Sequence, residues 1–289
     1  MSHIAVIADS CTSLPDSYFA EYQIASVPYY VHLGTKQYRD NIDITRDEFL
    51  EQMRNGVVPK SANPGPADYA VKLREAAERT KEMIVYCMTS LGSGAYQAAL
   101  LAREMVSAEI SGLRIEIVDT RNVSMGHGWM ALEGARKALA GASMEQLLAL
   151  AQRMIPVTRM LQTADTLRYL YLGGRIGKAK HLVGSVLNLK PIISMEDGVI
   201  VALGQARGRP AAYRKMMSLI AEKVGAGGRI KSAIVHAADP EAAATLREMV
   251  ESSFACVESI TTNLSSALAT HTGPGTVGVC YFPASVVEG

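Results

Sequence analysis

Apolar and polar positions along the first half of the chain alternate between two periods. Short β-rich runs occupy residues 4–9 (IAVIAD), 24–33 (IASVPYYVHL), 83–90 (MIVYCMTS) and 114–120 (RIEIVDT), each closing near Ser, Thr, Asp or Gly. Between them, residues 45–56, 66–80 and 94–109 repeat apolar side chains at helical spacing. Thr45 with Glu48 three positions on makes a capping box, and Pro64 and Pro66 stand ahead of the next helix. Strand–helix alternation of this kind predicts a mainly parallel sheet with helices on both faces.

The pattern changes after about residue 155. Residues 159–166 (RMLQTADT) lead into a long run at 167–188 (LRYLYLGGRIGKAKHLVGSVLN), and residues 191–208 read as two strands around the turn signal Glu196-Asp197-Gly198. A helix at 210–225, a strand at 232–237, a helix opened by Asp239-Pro240 and two further strand runs complete the chain. The expected fold is α/β with two domains. Residues 1–155 form a helix-covered, mainly parallel sheet and residues 156–289 a mixed sheet with helices, joined by the two helices around Gly141-Ala142-Ser143. There is no internal repeat and no low-complexity segment.

Composition narrows the function. With 48% hydrophobic residues and a formal net charge of +1, the chain is an ordinary globular protein and lacks the basic balance of a nucleic-acid-binding surface. Cys11, Cys87, Cys256 and Cys280 are far apart, with no CxxC pair and no His at metal-ligand spacing, so they read as buried thiols and no metal site is expected. The apolar run in MSHIAVIADS is too short for a signal-peptide core, and no stretch approaches the roughly 18 apolar residues of a spanning helix, so a cytoplasmic location without a membrane-spanning segment is expected. Fourteen Met against four Phe and one Trp suits an irregular core, and equally a flexible apolar partner.

Candidate chemistry gathers at strand ends, where helix N-termini offer free N–H groups. TSLGSGAYQ (89–97) supplies Ser90 and Ser93 with two glycines for close approach, although Ser and Gly at a helix start also serve as a plain cap. KSANPGP (60–66) adds Ser61 and Asn63, and HTGPGTVG (271–278) sets His271 beside a rigid turn. Phosphate loops, HExxH and the GxSxG elbow are missing, and ADSCTSLP follows the first strand where a dinucleotide site would need glycines. Lys60 is the one cationic side chain in the three segments, so hydroxyls plus an imidazole suit a small, singly charged head group such as a carboxylate. The same residues leave a second reading open: a hydrolase or transferase acting on a small acid or ester through Ser93, His271 and either Asp9 or Asp119.

In order along the chain, ADS (8–10), TSLGSGAYQ (89–97), VDT (118–120) with SMGHG (124–128), LGGRI (172–176), LKPII (189–193) and HTGPGTVG (271–278) resemble the DegV family, bacterial acyl-binding proteins that include the fatty-acid-carrying subunit of fatty acid kinase. The resemblance spans nearly the whole chain. It implies a non-catalytic lipid-binding protein without a cofactor, which encloses a long-chain fatty acid in an apolar tunnel between two domains. The carboxylate would be presented to a separate kinase for acyl-phosphate formation. Carried over by position, Ser61, Ser93, Gly94 and His271 bind the carboxylate, while Arg175 and Arg207 contact the kinase. The chain departs from the family where Ser61-Ala62-Asn63-Pro64-Gly65 replaces the more usual TSQPS, and where Gly92 and Ala95 replace Leu and Thr. These changes alter the polar groups around the expected head site.

Overall fold

The computed structural model describes residues 4–182 and 189–288, so the end of the 167–188 run, residues 183–188, lies outside the described residues. The first half runs β1 (Ala5–Asp9), α1 (Asp16–Glu21), β2 (Ile24–Val27), β3 (Tyr30–Leu33), β4 (Lys36–Arg39), α2 (Arg46–Arg54), β5 (Lys60–Ala62), α3 (Pro66–Ala77), β6 (Glu82–Cys87), α4 (Ala95–Glu109), β7 (Arg114–Asp119), α5 (Ser124–Leu139) and α6 (Met144–Met154). The second half runs β8 (Arg159–Thr163), α7 (Arg168–Leu172), β9 (Leu189–Glu196), β10 (Val199–Arg207), α8 (Arg209–Val224), β11 (Gly227–His236), α9 (Pro240–Ser253), β12 (Phe254–Asn263), α10 (Ser266–Thr272) and β13 (Val277–Pro283).

The first sheet, in order β2-β1-β6-β7, is parallel throughout. Its central strands are buried along almost their whole length, as a parallel sheet covered on both faces requires. The α/β alternation is thus realised, with one correction. The run 24–33 is not a single strand: Pro28 has no N–H to offer the ladder, pairing with β1 stops at Val27, and Tyr30 opens β3 in a separate antiparallel sheet of order β4-β3-β5. Ser61 sits on the short strand β5 of that sheet.

The second sheet, in order β10-β9-β8-β13-β11-β12, is mixed, and only β11 and β12 pair in parallel. Asp197 and Gly198, at φ of 49° and 82°, make the tight β9–β10 turn that the Glu-Asp-Gly signal predicts. Alternation separates the two faces of this sheet. Leu161, Ile234, Val279 and Tyr281 pack in a cluster with residues of α8 and α9. Met160, Val235, Cys280 and Phe282 instead join the core of the first half.

Helix α5 is the joint between the halves. It touches β1 and β6 of the first sheet and β8, β11 and β13 of the second, and 13 of its 16 residues are buried. A helix enclosed on every side needs small residues where it meets backbone. At Gly128 a Cβ would lie 2.5 Å from the Thr12 carbonyl oxygen, which fixes that residue as glycine. Trp129 fills the joint fully buried, stacks edge-on to Phe282, and donates its indole N–H to the Cys280 carbonyl at 3.3 Å. A charge-balanced quartet closes the rim. Glu133 accepts from Arg136 and Lys231, both at 2.8 Å, and Glu258 accepts two bonds from Arg136 at 2.8 and 2.7 Å. Among the described residues no helix is long and apolar enough to cross a membrane, and no cluster of side chains could hold a metal ion.

Candidate functional site

The C-terminal ends of β1 and β6 are pinned together by one carboxylate. Asp9, fully buried, accepts the N–H groups of Cys11 at 3.0 Å and Met88 at 2.9 Å, while His127 Nδ1 lies 3.6 Å away. Burial pushes this carboxyl above its usual range. The segment that leaves β6 thus starts from a fixed point. Its next residue, Thr89, donates its hydroxyl to the Gly198 carbonyl at 2.9 Å and so ties the tip of the β9–β10 hairpin to the first half.

Between the two sheets lies a cavity of about 420 Å³. Much of its wall is apolar, including Met88, Val123, Met160, Ile193 and Met195. Ser61, Ser93 and His271, predicted from three distant segments, all line it. Asn63 packs against the start of α4, where a Cβ on Gly94 would lie 3.2 Å from Asn63 Oδ1. Gly94 itself is not on the cavity wall; it lets the turn after β5 come close to Ser93. Arg175 lines the cavity while exposed to solvent, and its guanidinium donates to the Gly173 carbonyl at 2.7 Å. Arg207 is exposed at the end of β10, away from the wall.

The neighbours of each polar group assign its proton. Ser93 Oγ accepts the Ala95 N–H at 3.2 Å and lies 2.6 Å from Tyr29 Oη. Burial pushes the Tyr29 phenol well above its usual pKa and keeps it protonated; the Cys11 thiol beside it is a weak acceptor, so Tyr29 donates to the stronger acceptor, Ser93 Oγ. With its acceptor positions filled, the Ser93 hydroxyl has only its own proton left to offer. His271 Nε2 lies 2.8 Å from Ser61 Oγ, and its Nδ1 is enclosed without a partner among the described residues. An enclosed N–H with no acceptor costs more than a bare lone pair, so the network assigns the proton to Nε2, which donates to Ser61. The Ser61 proton is likewise free. The site therefore presents two hydroxyl donors, an arrangement matched by the two oxygens of a carboxylate.

The imidazole stays neutral at pH 7. Burial, followed by the nearby Arg175 guanidinium, pushes the His271 pKa down from 6.5 to about 4. A depressed folded-state pKa means that the unfolded chain binds the proton first as pH falls. Stability from this group is complete above about pH 6.5 and is lost progressively toward pH 4, by about 3 kcal/mol. Urea unfolding of the ligand-free protein across this range is expected to show that slope, and His271→Gln to remove its share of it. An unchanged slope in the variant would mean that His271 titrates normally.

Three contributors were not legible in the sequence. Tyr29 sits inside what reads as one strand and is freed by the break at Pro28. Gly173, the first glycine of LGGRI, makes room for the imidazole, since a Cβ there would lie 2.2 Å from His271 Nδ1. Gly173→Ala is expected to displace the ring from Ser61 and cost roughly 1–3 kcal/mol, read as a lowered urea midpoint together with a His271 pKa that moves back toward 6.5 by NMR. Asp40, buried in an otherwise unremarked loop, accepts from Ser10 Oγ at 2.8 Å and from the Ser266 N–H at 3.1 Å, and Ser10 Oγ accepts the Tyr29 N–H at 3.1 Å. One carboxylate thus holds both the Tyr29 backbone and the first turn of the helix that carries His271.

The relay of a nucleophilic serine is not assembled. Ser93 pairs with Tyr29, His271 pairs with Ser61, and no carboxylate meets His271 Nδ1 among the described residues. Asp9 is held by backbone N–H groups, and Asp119 accepts from Ser90 Oγ at 2.6 Å and the Arg121 N–H at 2.9 Å.

Comparison with known proteins agrees over the whole length. The DegV family model, described as "Uncharacterised protein, DegV family", matches residues 3–284. A DegV domain-containing protein of Caldanaerobacter subterraneus is 29% identical over 281 residues, covering 97% of this chain and 99% of that one. Among solved structures, a DegV family protein from Thermus thermophilus described by its fatty acid binding superposes with a TM-score of 0.90 at 32% identity, over 98% of this chain and 100% of that one. A fatty acid (stearic acid)-binding protein from Eubacterium ventriosum superposes at 0.88 with 25% identity, over 97% and 98% of the two chains.

Proposed function

Since this chain belongs to the DegV family, we propose that it binds a long-chain fatty acid, with the carboxylate between Ser61 and Ser93 and the chain along the methionine-lined cavity. The observation that carries this reading is the pair of hydroxyls that already accept, Ser61 from His271 Nε2–H and Ser93 from Tyr29 and Ala95, and so have their own protons to offer. Fatty acid binding by the relatives from Thermus thermophilus and Eubacterium ventriosum supports it.

Affinity comes from the tail. Burying a methylene contributes about 0.8 kcal/mol, so about 14 of them give a gross term near 11 kcal/mol before ordering costs. Each hydrogen bond to a charged oxygen nets about 1.5–3 kcal/mol, enough to orient the head and to reject a neutral one. Native mass spectrometry of freshly purified protein is expected to show a bound fatty acid, and calorimetry to show octadecanoic acid binding at least tenfold more tightly than octadecanol. Equal affinity for the two would remove the hydroxyl pair from recognition.

The bound carboxylate is then presented to a separate kinase for acyl-phosphate formation. Arg175 supports this step, because an exposed guanidinium at the cavity rim is near enough to His271 to depress its pKa and is free to meet a partner's carboxylate or a phosphoryl oxygen. Arg207, exposed on β10, extends the same basic character. Arg175→Glu is expected to lower acyl-phosphate formation by more than tenfold, most strongly at low salt, while octadecanoic acid binding changes only a few-fold. Parallel loss of both would assign Arg175 to head-group binding alone.

A further inference from the structure

Several polar side chains on the cavity wall stand outside the head-group network: Asn63, Thr89 and Arg175 bond to backbone carbonyls, Thr272 Oγ1 is buried without a partner among the described residues, and Gln162 is the one that carries a full carboxamide with no bond made. Gln162 lines the cavity and is 4% exposed, and its amide makes no hydrogen bond among the described residues. It lies on β8, where strand alternation turns Met160 and Gln162 to the cavity side while Leu161 packs in the opposite cluster. Its cross-strand neighbours are Ile193 on β9 and Gly278 on β13, and neither offers a polar side chain. Gly278 also makes space for it, because a Cβ there would lie 3.0 Å from Gln162 Cγ. Ser61 and His271 are committed to each other, and Tyr29 is committed to Ser93. The Gln162 amide therefore faces the enclosed space with its donors and acceptors unmatched.

A carboxamide offers two donors and an acceptor oxygen, and an apolar enclosure that leaves all of them unpaired is unfavourable. A saturated chain lying against it would seal that penalty in. A chain hydroxyl at the same depth would both accept from the amide nitrogen and donate to the amide oxygen. We propose that Gln162 makes the cavity selective for a fatty acid bearing a hydroxyl group part-way along its chain. The inference rests on the fatty-acid reading and adds a second recognition point to it, beyond the carboxylate.

The test is competition binding of octadecanoic acid against a positional series of monohydroxy-octadecanoic acids, with the full chain stripped of lipid. One position in the series is expected to bind wild type about tenfold more tightly than octadecanoic acid, the size of one well-formed neutral hydrogen bond. Gln162→Leu is expected to abolish that preference and to favour the plain acid. Gln162→Met serves as a second variant of similar volume. If wild type binds octadecanoic acid tightly and no hydroxy acid better, this inference falls while the fatty-acid reading stands; that comparison needs no variant. A preference that survives in Gln162→Leu would also overturn it. If no acid binds wild type at all, both readings fall together.

Discussion

Replacing both Ser61 and Ser93 with alanine is expected to weaken octadecanoic acid binding by roughly a hundred- to ten-thousandfold, since two hydrogen bonds to a charged oxygen net about 3–6 kcal/mol together. The loss has a structural component. His271 Nε2–H and the Tyr29 phenol each lose the oxygen they donate to, and a buried donor left unpaired costs about 1–3 kcal/mol. Binding is therefore measured well below the unfolding transition, alongside octadecanol as a neutral-headed control. The decisive readout is the ratio of acid to alcohol affinity. General loosening of the cavity would weaken both ligands alike, whereas loss of the paired donors collapses the preference for the acid. A double variant that keeps the wild-type ratio would show that the hydroxyls do not hold the head.

The second large effect concerns the joint. Trp129→Ala is expected to lower stability by about 3–5 kcal/mol, because it empties a fully enclosed site between the sheets and strips the Cys280 carbonyl of its indole donor. Against a total of about 5–15 kcal/mol for a typical domain, that is a large fraction. Chemical denaturation is expected to show a lowered midpoint. Since α5 contacts both sheets and the cavity lies between them, octadecanoic acid is expected to restore part of the lost stability, growing with the logarithm of its concentration over its dissociation constant. A midpoint within error of wild type would mean that α5 is not what unites the halves.

Sequence reading recovers the fold well for a physical reason. The β-rich runs at 4–9 and 83–90 form central strands buried on both faces, 114–120 an edge strand with fewer buried positions, and long helical runs separate them, so period and length alone identify them. It stumbles at 24–33, where one apolar run is divided between two sheets by the missing N–H of Pro28, and at β5, whose three residues carry too little pattern to read as a strand. Ser61, Ser93 and His271 were legible as polar residues beside glycine or proline in ordered motifs. What made them a site was not. Tyr29 looks like any strand aromatic, Gly173 like any turn glycine and Asp40 like any loop acid, since their roles depend on contacts across 64, 98 and 226 positions of chain with Ser93, His271 and Ser266 respectively. Gln162 has the same character: in sequence it is a polar residue in an apolar strand, and only the enclosure around it gives it meaning.

On the proposed reading a carboxylate is held by two hydroxyls that each already accept a hydrogen bond from the protein. A crystal structure of the protein with octadecanoic acid tests it most directly. One carboxylate oxygen is expected within hydrogen-bond distance of Ser61 Oγ and the other within that distance of Ser93 Oγ, with the Tyr29 and His271 contacts kept and the chain running past Met160. An acid lodged outside this cavity, or lying in it with its methyl end at the two serines, would rule out the hydroxyl pair as the head site.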